Sequence, residues 1–442
     1  PSRNWSLKRP GSSTSLRCKR LMHASFSFSG TIPPSKSLLI RHLLLTLYEP
    51  QITLPLSSGC ADVAAMKGAC ESFLAARGRP DWELQNIHCG EAGLVLRLCL
   101  GYASRHSGSY LLTGSRRLIE RPHEPLLSAL RQLGTDVVAA GDLSTAGLRV
   151  HSRGWQQVSS PLSLMGGLSS QFASSLLLNA WNLPFPLEIQ CDPEPVSEGY
   201  LEMSVDVARH FGMAVEQHKE SDHMTLIIPA HQRIHAGMAA AEADVSSAFA
   251  VAAIAAVSGT AHILNFPVQS LQPDHCFVEI LKRMGTPIEL SMQGLSVRQA
   301  PHLLPVEVDV GGAPDLTPVL AVLTALASGR SLLFGAPQLR GKESDRIATT
   351  SALLTVLGRR HTPRHDGIEI FGSPLSEQER ARPVRFDATG DHRLVMAAAV
   401  ARWAGFPIEI QGLAAVNKSF PEFLEIAQLS PIATAVPAKE AH

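Results

Sequence analysis

The chain alternates between short segments that are apolar on every side and longer segments that are apolar on one face only. The fully apolar segments are typical of buried helices, and each follows a cluster of small polar residues. Their sequences are LLIRHLLL, LVLRLCLGYA, FASSLLLNA, AFAVAAIAAV, VLAVLTALA and LVMAAAVARWA. The polar clusters before them begin at Ser35, Gly90, Ser169, Asp244, Asp315 and Asp391.

Amphipathic segments, several of which end in glycine, lie between the apolar ones, and β-like runs connect the two kinds. Six buried and six amphipathic helices give a unit of roughly 55 to 80 residues, which is longer than common solenoid repeats. The pattern predicts six small α/β units that form two domains of three units each. The amphipathic segments are 62–73, 123–134, 199–212, 276–285, 345–358 and 420–429.

The polar clusters bear on function because Ser, Thr and Asp are good helix N-caps. Several helix starts that meet in one place would form an anion site through their N–H groups and dipoles. The alternative is six ordinary capped core helices. Cations beside several of these starts favour the anion site, and they are Lys36, Arg41, Arg121, Arg346, Arg393 and Lys418.

The segment 339–346, LRGKESDR, carries the densest charge. We predict that it enters the first turn of a helix, with Lys342 and Arg346 on one face. Cations at a helix N-terminus oppose the dipole unless an anion neutralises them. The alternative is a solvated, salt-bridged helix start.

Composition narrows the possible functions. The chain has 442 residues, 45% hydrophobic, with a formal net charge of +0, which argues against a nucleic-acid-binding surface. No apolar run reaches the length of a membrane span, so we predict no membrane association. The seven cysteines are scattered without a CxxC pair. They predict reduced thiols in the cytoplasm and no metal site.

Residues 1–21 are basic and contain no acidic residue. This bias is typical of an organellar transit peptide, and also of a translated upstream leader. We expect this basic leader to lie outside the fold, and we expect the folded part to begin near Met22.

Several short motifs, taken in chain order, resemble the enolpyruvyl transferase family, and specifically its branch that uses shikimate 3-phosphate. The resemblance runs from about Ser29 to Phe423. Each motif alone is weak, and all of them in order are specific. The motifs are Pro33-Pro34-Ser35-Lys36-Ser37, Leu112-Thr113-Gly114, Glu120-Arg121-Pro122, Ser169-Ser170-Gln171, Ser197-Glu198-Gly199-Tyr200, Lys342-Glu343-Ser344-Asp345-Arg346, Asp391-His392-Arg393 and Lys418-Ser419-Phe420-Pro421.

The resemblance implies an α/β fold: a two-domain inside-out α/β barrel with six βαβαββ-type repeats, three per domain. The active site would lie in the cleft between the domains. Domain I would comprise residues 22–33 plus 238–442, and domain II residues 34–237. The hinge would lie near Pro33-Pro34 and between Gly237 and Asp244. We expect a monomer.

The reaction implied by the resemblance is transfer of the enolpyruvyl group of phosphoenolpyruvate (PEP) to the 5-hydroxyl of shikimate 3-phosphate, with release of phosphate. This is a step of chorismate and aromatic amino acid biosynthesis, and it requires no cofactor or metal. Asp315 would be the general base, and Lys36 would bridge the substrates and shuttle a proton. Glu343 would act at the methylene carbon, and His392 would orient Glu343 or the PEP phosphate.

The resemblance also implies two sets of binding residues. The PEP-binding residues would be Lys36, Gly93, Arg121, Gln171, Arg346, Arg393 and Lys418. The shikimate 3-phosphate-binding residues would be Lys36, Ser37, Arg41, Ser169, Ser170, Gln171, Ser197, Tyr200, Asp315, Gln338 and Lys342.

The chain departs from the family pattern at the loop expected to hold PEP. The family's G-N-A-G-T is Gly90-Glu91-Ala92-Gly93-Leu94 here. A carboxylate at Glu91 would repel phosphate, so we expect it to turn away or to pair, with Arg97 as a candidate partner. Leu98 and Gln338 stand where the family usually has proline and asparagine.

These departures leave two alternatives open. One is a paralogous enolpyruvyl transferase that acts on another cyclic alcohol. The other is a non-catalytic binding relative of the same fold. The intact cations and acids argue against the second, because clustered cations without a ligand destabilise an empty cleft.

Overall fold

The computed structural model describes residues 25–54, 58–140, 147–166, 169–239, 242–388 and 390–429. The basic leader lies outside the described residues. The described chain is a mixed α/β protein. None of its helices combines the length and the apolar character that a membrane span requires.

The helices follow the predicted alternation of buried and amphipathic segments. They are α1 (Lys36–Leu45), α2 (Ala61–Ala76), α3 (Gly93–Arg105), α4 (Arg116–Ile119), α5 (Glu124–Gln132), α6 (Gln171–Leu178), α7 (Glu198–His210), α8 (Val245–Ser258), α9 (Phe277–Arg283), α10 (Thr317–Leu326), α11 (Arg346–Val356), α12 (Glu377–Ala381), α13 (His392–Ala404) and α14 (Phe423–Ile426).

All twelve predicted helices are confirmed. The six apolar segments form α1, α3, α6, α8, α10 and α13, whose side chains are almost entirely buried. The amphipathic segments form α2, α5, α7, α9, α11 and α14. The largest differences are at the segment 276–285, whose first residue ends a 3₁₀ turn, Pro273–Cys276, and at the segment 420–429, which yields only a single helical turn.

The strands are short. They are β1 (Phe26–Gly30), β2 (Leu84–His88), β3 (Gly108–Thr113), β4 (Asp136–Ala140), β5 (Gly147–Ser152), β6 (Leu162–Ser163), β7 (Leu187–Cys191), β8 (Glu216–Lys219), β9 (Met224–Ile228), β10 (Gly259–Ile263), β11 (Ile288–Ser291), β12 (Gly294–Arg298), β13 (Glu307–Asp309), β14 (Gly329–Phe334), β15 (Arg360–Pro363), β16 (Ile368–Gly372), β17 (Val384–Asp387) and β18 (Ile408–Gln411).

Four sheets share one topology. In the order β2-β3-β5-β4, the first pair is parallel and the other two pairs are antiparallel. The same arrangement recurs in β6-β7-β9-β8, β1-β10-β12-β11 and β13-β14-β16-β15. In three of these sheets the buried helix connects the parallel strands, because a parallel pair requires a crossover. In the fourth, residues 38–239 and α8 lie between β1 and β10. The described residues therefore contain four complete sheets of the predicted kind.

The other two predicted units are incomplete in the described part of the chain. Helix α13 lies between β17 and β18, which form a two-stranded parallel sheet. Helices α1 and α2 have no sheet of their own among the described residues, apart from a single bridge between Thr53 and Met238. The described strands also form no closed barrel. The count of six repeats and the inside-out barrel stay predictions.

Two clusters of buried hydrophobic side chains account for the interior. The first core extends from Leu38 to Ala239. The second core combines Phe26 and Ile32 with residues from Ala243 to Leu429. The chain passes between them twice, and the two passages pair: the Ser35 amide donates to the Glu242 carbonyl at 2.8 Å, and the Asp244 amide donates to the Pro33 carbonyl at 2.8 Å.

Candidate active site

The starts of several buried helices open onto one cavity of about 210 Å³ between the two cores. The first turns of α1, α3, α6 and α13 line it, together with Asp315, which precedes α10. Of the predicted site residues, those lining the cavity are Lys36, Ser37, Arg41, Gly93, Arg121, Ser169, Ser170, Gln171, Ser197, Tyr200, Asp315, Gln338, Lys342, Glu343 and His392. Arg346, Arg393 and Lys418 lie behind this lining.

The residue directly before the helix supplies a side-chain cap in two of the six buried helices: Asp244 and Asp391 accept from the amides of Ser247 and Arg393. The residues directly before α1, α3, α6 and α10 make no such bond. At α1 and α6 other side chains accept from the first amide: Asp244 Oδ2 from Lys36 and Ser169 Oγ from Gln171, both at 3.3 Å. Since the first turns of α1, α3 and α6 line the cavity, their dipoles favour an anion there.

Gly93, the first residue of α3, lets cations approach closely. A Cβ atom at this position would lie 2.8 Å from Arg121 Nη1, too close for an ordinary contact. Arg97, one helical turn later, donates from Nη1 to Gln171 Oε1 at 2.5 Å and to Ser169 Oγ at 3.2 Å. Two guanidinium groups therefore lie at the start of α3, which has no side-chain cap. Burial and the neighbouring Arg121 lower the pKa of Arg97 to about 9.

Glu91 turns away from this site. This is one of the two arrangements that we expected from the sequence, the other being an ion pair. Its side chain is 62% exposed, and it does not line the cavity. The suggested pairing with Arg97 is wrong, because Arg97 is engaged with Gln171 and Ser169. Glu91 instead approaches Lys418, which donates to the Glu91 backbone carbonyl at 3.2 Å.

Helix α1 contributes two cations in different environments. Lys36 Nζ donates to Asp62 Oδ2 at 2.8 Å. Burial opposes the charged form of Lys36, but the charge and hydrogen bond of Asp62 together with the charge of Glu343 outweigh burial and raise the pKa of the ammonium group. Arg41 is 1% exposed, and its guanidinium donates to Ser204 Oγ and to the backbone carbonyls of Ser37 and Tyr200. Arg41 is thus fixed against α7 and keeps two N–H groups unengaged by these bonds.

Asp315 lies at the centre of a buried ion cluster. Its carboxylate accepts from Arg346 Nη1 at 2.7 Å and from Arg393 Nη2 at 3.1 Å, and Lys342 Nζ lies 4.0 Å away. Burial alone would raise the pKa of Asp315. The three cations outweigh burial and hold this pKa well below its ordinary value.

Glu343 occupies a second position of the same kind. Its carboxylate lies 3.0 Å from Arg346 Nη2, 3.2 Å from Lys418 Nζ and 3.7 Å from Arg121 Nη2. Burial opposes its charge, but Lys418, Arg346 and Arg121 lower its pKa well below the ordinary value. The cluster therefore brings residues of both cores together before any substrate is present.

Arg346 is held almost entirely by acids. It donates from Nε to Asp391 Oδ2 at 2.9 Å, besides its contacts with Asp315 and Glu343. The predicted helix start is corrected here, because α11 begins at Arg346 with Asp345 as its cap. Lys342 and Glu343 precede the helix, so the prediction that Lys342 and Arg346 share a helix face is wrong. Asp345 Oδ1 accepts from the Ala348 amide at 3.0 Å, which fixes the start of α11 after Asp345.

The opposite wall carries hydroxyl groups. Ser169, Ser170 and Ser197 line the cavity, and Gln338 Nε2 of the second core donates to Ser197 Oγ at 3.4 Å. Ser197 has φ 59°, a left-handed conformation that is uncommon for a residue other than glycine. Such a conformation is typical of functional sites, where the surroundings enforce it.

His392 lies at the start of α13 with 1% of its surface exposed. Neither ring nitrogen has a hydrogen-bond partner among the described residues, so it does not orient Glu343 by a direct hydrogen bond. Burial, Lys36 and Arg393 lower its pKa well below the ordinary value. The imidazole is therefore neutral at neutral pH and faces the cavity with unused hydrogen-bonding capacity.

Three charged side chains that sequence reasoning did not assign to the site also line the cavity: Asp62, Arg97 and Arg340. Arg97 was predictable, because residues four apart share one helix face and Gly93 was already assigned. The position of Asp62 in the sequence left two interpretations open, an acidic position of the family pattern and a plain helix cap. Arg340 pairs with Asp345 at 3.1 Å and carried no comparable signal.

The sequence model of the family EPSP synthase (3-phosphoshikimate 1-carboxyvinyltransferase) matches residues 31–426. The chain belongs to this family. Similar proteins in the EPSP synthase family include the 3-phosphoshikimate 1-carboxyvinyltransferase of Methanococcus maripaludis strain C6, 31% identical, with 89% of this chain and 94% of that protein covered. The Halobacterium salinarum R1 protein of the same name is 33% identical, with 92% and 98% covered.

Two solved structures have a similar fold. An EPSP synthase from Acinetobacter baumannii has a TM-score of 0.65 and 24% identity, covering 91% of this chain and 95% of its own. The enolpyruvyl transferase NikO from Streptomyces tendae has a TM-score of 0.64 and 15% identity, covering 92% and 95%. At these identities the likeness concerns the fold alone.

Proposed function

We propose that this member of the EPSP synthase family transfers the enolpyruvyl group of PEP to the 5-hydroxyl of shikimate 3-phosphate and releases phosphate. The reaction belongs to chorismate and aromatic amino acid biosynthesis. Family membership supports the reaction. The single observation that supports it at the site is one cavity where the starts of several buried helices meet cations from both cores.

Charge supports this choice of substrates. Each phosphate group carries close to two negative charges near neutral pH, and each substrate adds a carboxylate. The cluster around Asp315 and Glu343 holds Arg121, Lys342, Arg346, Arg393 and Lys418. Asp391 also pairs with Arg346. Arg41 and Arg97, which line the same cavity, bond to neutral groups and have no ion-pair partner among the described residues. Anionic substrates would neutralise these unpaired cations.

We assign shikimate 3-phosphate to the wall formed by α1, α6 and α7. Ser169, Ser170 and Ser197 would donate to its phosphate. The free N–H groups of Arg41 would bind its carboxylate, with Ser37 alongside and the ring of Tyr200 beside the cyclohexene ring. Gln338 and Lys342 would contact it from the second core. All these residues line the cavity.

We assign PEP to the side where α3 begins. Arg121 and Gln171 lie against Gly93, and the guanidinium fork suits a carboxylate or phosphate. Arg346, Arg393 and Lys418 would complete this site by moving their donors from the acids to PEP. Lys36 would bridge the two substrates. Because its pKa is raised, Lys36 would act as a cation in the empty site.

The general base would be Asp315, but its low pKa makes it a weak base in the empty site. Substrate anions that draw Arg346, Arg393 and Lys342 away would raise that pKa, because a nearby negative charge disfavours a carboxylate. Glu343 would exchange the proton at the methylene carbon. Its pKa would rise for the same reason, because the substrates would draw cations away from it. The substrates themselves would thus activate the acids.

The two cores would be two domains, residues 34–237 and residues 22–33 plus 238–442. Separate buried clusters and the paired chain passages near Pro33 and Asp244 support this division. The likeness to solved EPSP synthase structures supports the two-domain inside-out barrel. A monomer in the cytoplasm, without nucleic acid or metal, stays our prediction. The described cysteines are all free thiols.

The deciding experiment measures phosphate release by the full chain. We expect release only when PEP and shikimate 3-phosphate are both present, because the transfer cleaves the C–O bond that links the enolpyruvyl group to phosphate. Shikimate without its phosphate should be a poor acceptor. The serine wall (Ser169, Ser170 and Ser197) and Lys342 would then have no phosphate dianion to bind. A folded protein that releases no phosphate from the complete mixture would rule out the assignment.

A paralogous transferase is the second candidate. Glu91, just before α3, and Leu94, in its first turn, depart from the family pattern and favour this candidate. Release of phosphate with another cyclic alcohol, but none with shikimate 3-phosphate, would identify this case.

Closure of the cleft is a separate prediction. Arg97, Arg121 and Lys342 line one cavity, and their mutual repulsion falls when anions bind. We therefore expect the radius of gyration, measured by small-angle X-ray scattering, to decrease when both substrates are added. Shikimate alone serves as the control. Binding detected by calorimetry without any change in radius would contradict a closing cleft.

A further inference from the structure

A buried carboxylate outside the assigned site connects the two cores. Asp274 belongs to the 3₁₀ turn Pro273–Cys276 ahead of α9 and is 1% exposed. A buried carboxylate is costly unless hydrogen bonds satisfy it. One of the groups that satisfy Asp274 comes from the opposite core.

Asp274 accepts hydrogen bonds from two hydroxyl groups. Tyr200 Oη donates to Oδ1 at 3.4 Å, and Ser246 Oγ donates to Oδ2. Burial and the charge of Asp315 raise the pKa of Asp274 to about 6, and Asp244 adds to this, whereas Arg393 opposes it. The two hydroxyls therefore compensate part of the cost of burying this carboxyl group.

The turn that contains Asp274 also packs closely against α7. A Cβ atom at Gly199 would lie only 2.7 Å from Pro273 Cβ. A larger residue at position 199 would therefore push the two cores apart at this point. This steric fit is independent of the hydrogen bond to Tyr200, and it holds the Asp274 turn at the start of α7.

Tyr200 is consequently fixed from both sides. Its backbone carbonyl accepts from Arg41 Nη2 at 2.9 Å and from Ser204 Oγ at 3.0 Å, both in the first core. Its hydroxyl is held by Asp274 of the second core. The ring between these two anchors lines the cavity. The orientation of the ring thus depends on contact between the cores.

We propose that Asp274 is a positioning residue for shikimate 3-phosphate, holding the Tyr200 ring from the opposite core so that the ring forms the acceptor site. This role rests on the proposed function. This role predicts different effects on the binding of the two substrates. Tyr200 lies beside the serine wall assigned to shikimate 3-phosphate, and not at the start of α3, which is assigned to PEP. Loss of the hydrogen bond should therefore weaken shikimate 3-phosphate selectively.

The test uses the full chain with Tyr200→Phe, Asp274→Ala, Asp274→Asn and the double variant Asp274→Ala/Tyr200→Phe. Loss of one hydrogen bond to a charged group should raise KM for shikimate 3-phosphate about 10-fold in each of the first two, with KM for PEP nearly unchanged. The double variant should be no worse than Asp274→Ala, since both remove the same contact. Asp274→Asn keeps an acceptor oxygen and should recover most of the affinity.

Tyr110→Phe is the matched control. Its hydroxyl donates to the Ser107 carbonyl within the first core, away from the cavity, so its kinetics should match those of the wild type. Tyr200→Phe retains the ring and tests the proposal even if Asp274→Ala fails to fold. An unchanged KM for shikimate 3-phosphate in folded Tyr200→Phe, or effects that add in the double variant, would overturn this role. A wild type without turnover would overturn the proposed function, and this role with it.

Discussion

Replacement of Asp315 by asparagine is expected to lower kcat about 10²- to 10⁴-fold while both substrates still bind, as is usual when a general base is removed. Asparagine has nearly the same shape but cannot accept the hydroxyl proton. It also removes the charge that holds Arg346, Arg393 and Lys342 in the empty site. These cations are then free for the substrates, so affinity should be retained or increased.

Steady-state phosphate release and calorimetric titration of each substrate separate the two effects. Asp136→Asn is the control, since Asp136 is an exposed residue of β4 outside the cavity. It should behave as the wild type does. If Asp315→Asn kept near-normal kcat, the base would have to be another group. If it lost substrate binding instead, Asp315 would be a binding residue and not the base.

The existence of the helices was predictable because their signal is local. A segment such as LVMAAAVARWA is apolar on every side, and α13 buries nearly all of it. The convergence of the helix starts was also accessible, since polar residues and cations recur at the same place in each unit. Both predictions depend on a pattern within a few turns of chain.

The partners of the charged residues were not predictable in this way. Arg346 pairs with Asp391, 45 residues away, and Lys36 pairs with Asp62 across two helices. Each pairing depends on how separate elements pack, which no local pattern records. The same reason explains why Arg346 lies behind the cavity wall, although its motif assigned it directly to PEP.

Glu91 illustrates a prediction that was half right. Repulsion between a carboxylate and a bound phosphate required it to turn away or to pair, and the structure turns it outward. The proposed partner was wrong because Arg97 faces the other side of α3, where Gln171 and Ser169 lie. Electrostatics was enough to predict the direction, whereas the partner depended on the helix face.

Replacement of Asp391 by alanine is expected to lower the free energy of unfolding by about 3–5 kcal/mol, the usual cost of removing one partner of a buried ion pair. Asp391 is fully buried, and it accepts two hydrogen bonds from Arg346 and one from Ser344 Oγ at 2.8 Å. It also caps α13 through the Arg393 amide at 3.0 Å. Without it, the Arg346 guanidinium stays buried with less compensating charge.

Urea unfolding, monitored by circular dichroism, measures this loss of unfolding free energy. Two further variants separate the contribution of the buried charge from that of an ordinary surface ion pair. Asp391→Asn retains a capping oxygen but not the charge, so its cost should lie between those of the wild type and alanine. Glu409→Ala breaks the surface pair with Arg385, whose side chain is 76% exposed, and should cost less than about 1 kcal/mol. Equal costs for Asp391→Ala and Glu409→Ala would mean that the buried cluster does not stabilise the fold. Contacts other than the ion pair with Asp391 would then stabilise the buried guanidinium of Arg346 behind the cavity.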